Sequence, residues 1–430
     1  MSESTSAPIQ TSQTGITPSA NPPTRLMSID ALRGFDMFWI IGADALVYAL
    51  HRMANGGQNP VGDEMPSTFT GILAYELEHA KWAGFHFYDL IFPLFVFIVG
   101  VSLVFSLTKQ IEKGGRRDAM KRIFQRSVLM FIVALLYSGG FTNPWPDMRL
   151  MGVLNRIALC YLFAGLIFCF CKPRLMVAIC VSLLVGYWAM MTFVPIREVP
   201  LEKGKLEELA AQRGVKMDAE KLFYSTTKTV TGHFEHGYNL ANHLDFQYLP
   251  GRKYDTYFDP EGYLSTLPSI ATCLLGVFAG LLLRNGKWSD HQKVIYLIMG
   301  GLIVLNLGWI WSVQFPVVKK IWTSSFVLVA GGYSAILLGI FYLVVDIWKY
   351  QKWCQPFVWM GMNSITIYLA SNIIGGFRKL ATRFVGGDVK DFFDGHLLKG
   401  SGDLIVAVFG LLLAFWFVHF LYRRKIFLRL

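Results

Sequence analysis

His79 and Asp89 stand ten residues apart in HAKWAGFHFYDLIFPLFVFIVG (79–100), where the chain passes from a His-Lys-Trp turn into an apolar run. An imidazole can take up a proton near neutral pH, and a carboxylate beside it can hold the ring in one orientation. Both groups are costly at the mouth of an apolar helix unless each has a partner or a task.

Other ionisable groups sit in or beside apolar runs. Asp36 and Asp44 lie eight residues apart in ALRGFDMFWIIGADALVYAL, which on a regular helix places them about 80° apart on one general side. Arg156 lies in GVLNRIALCYL, while Asp259 and Glu261 lie in DPEG, just before another apolar block. An ionisable side chain within a span costs about 2.5 to 3.5 kcal/mol on insertion scales. Two readings follow. In one, the groups form an ion-pair network in which Arg156 neutralises Asp44 or Asp89 so that helices can pack. In the other, favoured because several carboxylates and an arginine fall at one depth, they line a polar cavity with His79 as base. Trp82 beside the histidine belongs to that cavity or anchors the helix end. Asn363, in WMGMNSITIYLASN, either bonds across helices or lines the pocket.

The elements that must position these residues are apolar helices. The 430 residues are 53% hydrophobic and 15% aromatic, with a mean hydropathy of +0.42, too apolar for a soluble domain. The apolar blocks are about twenty residues long and lack the alternation of barrel strands. An all-α polytopic membrane protein is predicted, with about ten transmembrane helices at 27–50, 87–107, 124–141, 152–171, 175–194, 264–283, 294–313, 323–345, 356–374 and 403–421. Two five-helix halves, 25–194 and 264–430, flank a long external loop, 195–263. Residues 1–24 are Ser/Thr/Pro-rich with no apolar core and read as a disordered cytoplasmic tail rather than a signal peptide.

The net charge of +11 does not point to nucleic acid, because the basic residues sit in short connectors such as KQIEKGGRRDAMKR (109–122). That distribution places the connectors and both termini in the cytoplasm. GGFRKLATRFVGGDVKDFFDGHLLKG (375–400) is basic on the opposite side and suits a short amphipathic helix or a pore-facing element. In the loop, 202–222 has helical composition, and the Gly-, Pro- and Tyr-rich part that follows reads as irregular. His233, His236 and His243 with Glu235 and Asp245 match no standard metal spacing, so no metal is expected. The six cysteines form neither a disulfide framework nor a metal-type pair. No phosphate loop, dinucleotide fingerprint or serine elbow occurs in a plausible context.

RLMSIDALRGFDMFWIIGADAL, HAKWAGFHFYDLIFPLFVFIVGVSLVFSL, GVLNRIALCYL, DPEGYLSTLPSIATCLLGVFAG, FPVVKKIWTSSFVLVAGG and GMNSITIYL occur in the order and spacing of a known family. The chain resembles the transmembrane acyltransferases related to heparan-α-glucosaminide N-acetyltransferase and their bacterial relatives, over nearly all of its length from residue 25. The specific part is H-A-x-W-x-G followed by D-L-x-F-P-x-F-x-F-I-x-G. The resemblance implies an enzyme of the bacterial cytoplasmic membrane that carries an acetyl group from cytosolic acetyl-CoA to an amine of an amino sugar or glycan on the far side. The family's catalytic histidine falls on His79, and its active-site asparagine falls on Asp44, a departure from amide to carboxylate.

In that chemistry Asp44 or Asp89 orients the imidazole, and Arg156 pairs with that carboxylate or stabilises oxyanion charge. Arg33 and the 109–122 cluster are candidates for the CoA phosphates. Trp82, Asp259, Glu261, Asn363 and the tyrosines at 254, 257 and 263 are candidates for the sugar. The expected partners are acetyl-CoA, the acceptor and membrane lipid, with a homo-oligomer left open. A proton-coupled permease for a sugar or cell-wall fragment is the competing reading, because buried carboxylates with an arginine serve a carrier equally well.

Overall fold

A computed structural model describes residues 25–58, 66–142 and 144–428, so the predicted tail at 1–24 lies outside the described residues. The order of helices is α1 (Met27–Phe38), α2 (Asp44–Ala54), α3 (Phe69–Glu76), α4 (Ile91–Tyr137), α5 (Val153–Phe170), α6 (Pro173–Phe193), α7 (Lys203–Gln212), α8 (Ala219–Ser225), α9 (Leu240–Tyr248), α10 (Thr266–Arg284), α11 (Asp290–Trp311), α12 (Ser324–Phe341), α13 (Gln355–Met362), α14 (Ser364–Ile373), α15 (Phe377–Val385), α16 (Asp388–His396) and α17 (Ser401–Arg423).

Among the described residues, seven helical segments are long and apolar enough to cross a membrane by length and composition. The chain is an integral membrane protein with an all-helical bundle. One of the seven, Phe87–Tyr137, holds two predicted spans. The basic stretch between them is helical as well, because Lys, Arg, Glu and Gln are good helix formers once the chain leaves hydrocarbon. The helix breaks direction at Gly115, whose φ of 77° suits glycine. Two other predicted spans are helical but interrupted. The first passes from α1 to α2 through a π-helical turn, Trp39–Ala43, with Gly42 at φ 116°, and the ninth breaks at Asn363 between α13 and α14. The π turn changes the helical register between Asp36 and Asp44, so the regular 80° offset does not apply.

The two sequence halves interleave. α4 packs on both α5 and α10, and α1 packs on α13. The α1–α13 crossing is tight enough that a Cβ on Gly34 would lie 1.7 Å from the Phe357 carbonyl oxygen, and one on Gly361 would lie 1.9 Å from that of Asp30. Small residues are what permit such approach between membrane helices.

The 195–263 segment is ordered. Ile196–Arg197 pairs antiparallel with Thr229–Val230, and Phe234–Glu235 with Tyr238–Asn239. Val199, Leu206, Leu222 and Phe223 form its own small core. A second cluster, with Tyr187, Met191, Leu240, Phe315 and Ile321, fastens it to the ends of α6 and α11. The part expected to be irregular contains α9, which starts at Asn239 because the Asn239 side chain accepts the Asn242 N–H. The basic 375–400 stretch holds α15 and α16, packed against α17.

Candidate functional site

The turn that carries His79 is held from several directions. Gly84 N–H donates to the Val317 carbonyl at 2.9 Å, Ala83 bridges Val318, and the Trp82 indole donates to the Phe234 carbonyl at 2.8 Å. Phe87 N–H donates to Glu76 Oε2, and Tyr48 Oη donates to the Leu77 carbonyl. A turn tied to three separate parts of the chain keeps its side chains in place.

Asp89, fully buried, organises the turn. Its Oδ2 accepts the backbone N–H groups of Ala80 and His86 at 3.1 and 3.2 Å. Its Oδ1 lies 2.9 Å from His79 Nδ1 and 3.3 Å from Lys319 Nζ. An ionised carboxylate so surrounded is an acceptor from every side, which sets the histidine tautomer: Nδ1 carries the proton and Nε2 is left as the base. Lys319 Nζ also approaches His79 Nδ1 to 3.1 Å, the approach of two donors that share one acceptor. The Tyr88 ring lies 4.9 Å from the imidazole, and the His79 side chain remains half exposed.

These groups open into a cavity of about 470 Å³ whose walls include His79, Asp89, Arg156, Glu261, Lys319 and Tyr88. Arg149, Lys320, Tyr254 and Tyr368 contribute polar groups to the same walls, and Met37, Ile40, Phe95 and Ile157 supply an apolar part. Arg149 grips Asp259 with two 2.8 Å bonds, donates a third of 2.8 Å to Glu261, and lies over the Tyr254 ring. This fork-to-carboxylate geometry suits arginine alone. Arg156, fully buried, donates to the Pro260 carbonyl and the Ser265 hydroxyl, and its guanidinium lies 4.9 Å from the Trp322 ring centre. Burial raises the Glu261 carboxyl above its usual value of 4.5 and lowers the Lys319 ammonium below its usual 10.5.

A second cavity, of about 410 Å³, is lined by Arg25, Arg33, Arg122 and Arg126 with Asp30 as the carboxylate among them. Arg25 pairs with Asp30 at 2.6 Å, and Arg33 reaches Ser102 and the Gly361 carbonyl. Ser364 and Ile365, just beyond the break at Asn363, line both cavities.

The structure therefore gathers His79, Asp89, Arg156 and Glu261 into one chamber and sets Arg33 in the other cavity. Asp44, Trp82, Asp259 and Asn363 are not among the residues that line either. Asp44 is within electrostatic range of His79 and Arg378, but the carboxylate bonded to the ring is that of Asp89. Arg156 does not neutralise Asp44 or Asp89; Lys319 serves Asp89, and Arg156 faces the Asp259–Glu261 corner. Trp82 and Asp259 act as braces through their bonds to Phe234 and Arg149. Asn363 bonds back to the Trp359 carbonyl in its own helix. Among the described residues no cluster of three metal-type side chains occurs; His233 pairs with Glu235, His236 approaches Asp255, and His243 is bonded to the Val199 carbonyl.

Sequence reasoning missed Lys319, Lys320 and Arg149. The paired lysines in FPVVKKIW stand between two apolar spans, and their place on the side away from the other basic connectors was the available signal.

The bundle and its histidine chamber define a helical membrane protein in which a buried carboxylate holds a half-exposed imidazole and an ammonium. Residues 65–201 match the family model described as heparan-α-glucosaminide N-acetyltransferase, catalytic, a stretch that contains His79, Asp89, Arg149 and Arg156. The chain is 25% identical over 449 residues to heparan-α-glucosaminide N-acetyltransferase of Mus musculus, covering 94% of this chain and 61% of the mouse protein. It is 26% identical over 450 residues to the Homo sapiens protein of that name, covering 95% of this chain and 60% of the human one. The chain is thus similar to these proteins over most of its own length, and it spans about three fifths of theirs.

Proposed function

We propose that the chain is a membrane-embedded acyltransferase that moves an acetyl group from acetyl-CoA, bound at the basic cavity, to an amine of an amino sugar or glycan in the histidine chamber. The observation that carries this reading is the shared wall. Because Ser364 and Ile365 line both cavities, the cavities adjoin, and a thioester anchored by its phosphates among four arginines can direct its acyl end towards the histidine chamber. Arginine forks suit phosphate, and the apolar part of the chamber suits the pantetheine arm.

A thioester is already activated, so the protein must position it, keep the acceptor amine near its carbonyl and take up the proton released. Asp89 and Lys319 fix the imidazole, and Nε2 takes the proton as the new C–N bond forms and the C–S bond breaks, with CoA leaving as the thiol. An acetyl group held first on Nε2 satisfies the same geometry. Tyr254 and the Arg149–Glu261 corner offer a ring and polar groups to the sugar. Asp44, in the place where the relatives' pattern has an amide, lies within electrostatic range of His79.

In this reading the membrane is a bacterial cytoplasmic membrane crossed ten times, with the basic cavity and both termini on the cytoplasmic side, an orientation that the connector charges support. A permease is favoured by one observation, Asp36, which is fully buried with neither oxygen partnered among the described residues. The test is transfer of labelled acetyl from acetyl-CoA to a panel of amino sugars by protein in nanodiscs, with His79→Ala beside the wild type. Label on an amine from wild type alone supports acyl transfer; absence of both CoA binding and transfer in the wild type sinks it and favours the permease.

A further inference from the structure

We propose that Lys319 is itself an acetylation site: when no acceptor amine is bound, the acetyl group brought to the chamber passes to its Nζ. The inference rests on the acyl-transfer reading above. Lys319 lines the chamber and places a primary amine 3.1 Å from Nδ1 of the imidazole whose Nε2 takes up the proton of the reaction. Its backbone neighbours Val317 and Val318 are bonded to Gly84 and Ala83 of the histidine turn, so the backbone that carries the lysine is tied to the turn, and Asp89 holds the amine itself at 3.3 Å.

Nucleophilic attack needs the free amine. The low-dielectric surroundings that favour loss of the ammonium proton are opposed by Asp89, which holds that charge at 3.3 Å, so the step is slow while the pair is intact. Once the ammonium has released its proton to the chamber water, Nζ attacks the thioester carbonyl. A C–N bond forms, the C–S bond breaks, CoA leaves as the thiol with the second proton by way of His79, and the balance is one proton released per amide formed. The product amide cannot carry the charge that Asp89 faces, so acetylation removes the cation of the cluster and slows further transfer. A bound sugar amine protects by occupying the same carbonyl.

The experiment incubates the nanodisc-embedded protein with acetyl-CoA carrying an isotope-labelled acetyl group, with and without glucosamine, and maps label by peptide mass spectrometry. The expected result is label at Lys319 at least tenfold above that at the neighbouring Lys320 and the exposed Lys221 and Lys228, suppressed by glucosamine and lost in His79→Ala and His79→Asn. Transfer to glucosamine with Lys319 unlabelled overturns the inference and leaves the acyl-transfer reading intact. Label at Lys319 equal to that at Lys221, or unchanged in both histidine variants, also overturns it, since uncatalysed chemistry then explains the modification. Label on neither glucosamine nor lysine overturns the reading on which the inference rests.

Discussion

The two cavities differ in how their charges are balanced. In the chamber, each charged group described above has an opposite charge in contact or in electrostatic range: Asp89 with His79 and Lys319, Arg149 with Asp259 and Glu261, and Lys320 with Asp255. In the basic cavity four arginines line a wall with Asp30 as their carboxylate. A balanced cluster in low dielectric is rigid and defines directions for proton movement. An unbalanced one is a site whose missing charge a ligand brings. The contrast teaches that stability and turnover should depend on the chamber, whereas affinity for an anionic co-substrate should depend on the basic cavity.

The largest expected effects come from breaking the balanced side. His79→Ala should lower acetyl transfer about 10² to 10⁴-fold while CoA binding, measured by isothermal titration, stays within a factor of two or so of the wild type. Asp89→Ala should do more harm, because it strips Lys319 of its counter-charge and leaves the Ala80 and His86 N–H groups unpaired. Breaking a buried ion pair costs about 3 to 5 kcal/mol, which thermal unfolding in nanodiscs will register as a clear loss. An Asp89→Ala protein with wild-type melting would show that the cluster is not the brace described here.

On the unbalanced side the pattern inverts. Arg33→Ala should weaken CoA binding about ten- to a hundredfold, the worth of one charged hydrogen bond at about 1.5 to 3 kcal/mol. Its melting should change less than that of Asp89→Ala, and CoA affinity should fall steeply with added salt. Between the cavities, Ile365→Trp should leave CoA affinity near wild type and cut transfer by up to about 10²-fold, because a displaced carbonyl loses its approach to Nε2. If Ile365→Trp transfers at the normal rate, the shared wall is not the route.

The chamber was more legible in the sequence than the way its charges pair. His79, Asp89, Arg156 and Glu261 stood out because ionisable groups in or at the mouth of an apolar run are costly and therefore rare. Which cation meets which carboxylate depends on Gly84 and Ala83 lying against Val317 and Val318, a contact between residues more than two hundred positions apart. Lys319 was hidden for that reason. The regular offset between Asp36 and Asp44 does not hold, because Gly42 at φ 116° and a π turn intervene. Arg33 was readable nearly two turns into the first apolar run, while Arg122 and Arg126 join it only because α4 folds back at Gly115. In the 195–263 segment, composition announced α7 but not α9, whose start is set by one local bond from Asn239.

The smallest expected effect concerns the segment beside the chamber, where α9 carries two buried titratable groups of opposite behaviour. Burial holds Asp245 at about 7 against an ordinary 3.8, and burial holds His243 at about 4 against an ordinary 6.5. A raised carboxyl keeps its proton in the folded state, so the Asp245 contribution is fully present below about pH 4 and is lost as pH rises to about 7. A depressed imidazole stays neutral in the folded state, so the His243 contribution is fully present above about pH 6.5 and is lost as pH falls towards 4. The two slopes oppose each other over the same window. Asp245→Asn should therefore leave a nearly flat melting temperature from pH 4.5 to 6.5, where His243 and the raised Glu261 carboxyl oppose each other, and His243→Gln one that falls across it, since Asp245 and Glu261 then slope the same way. Both melting curves can be followed by intrinsic fluorescence, because Trp82 is bonded to this segment at Phe234. Parallel pH profiles for the two variants would mean that these groups are hydrated in the folded protein, and the segment would then be a loose cover rather than a packed wall of the chamber.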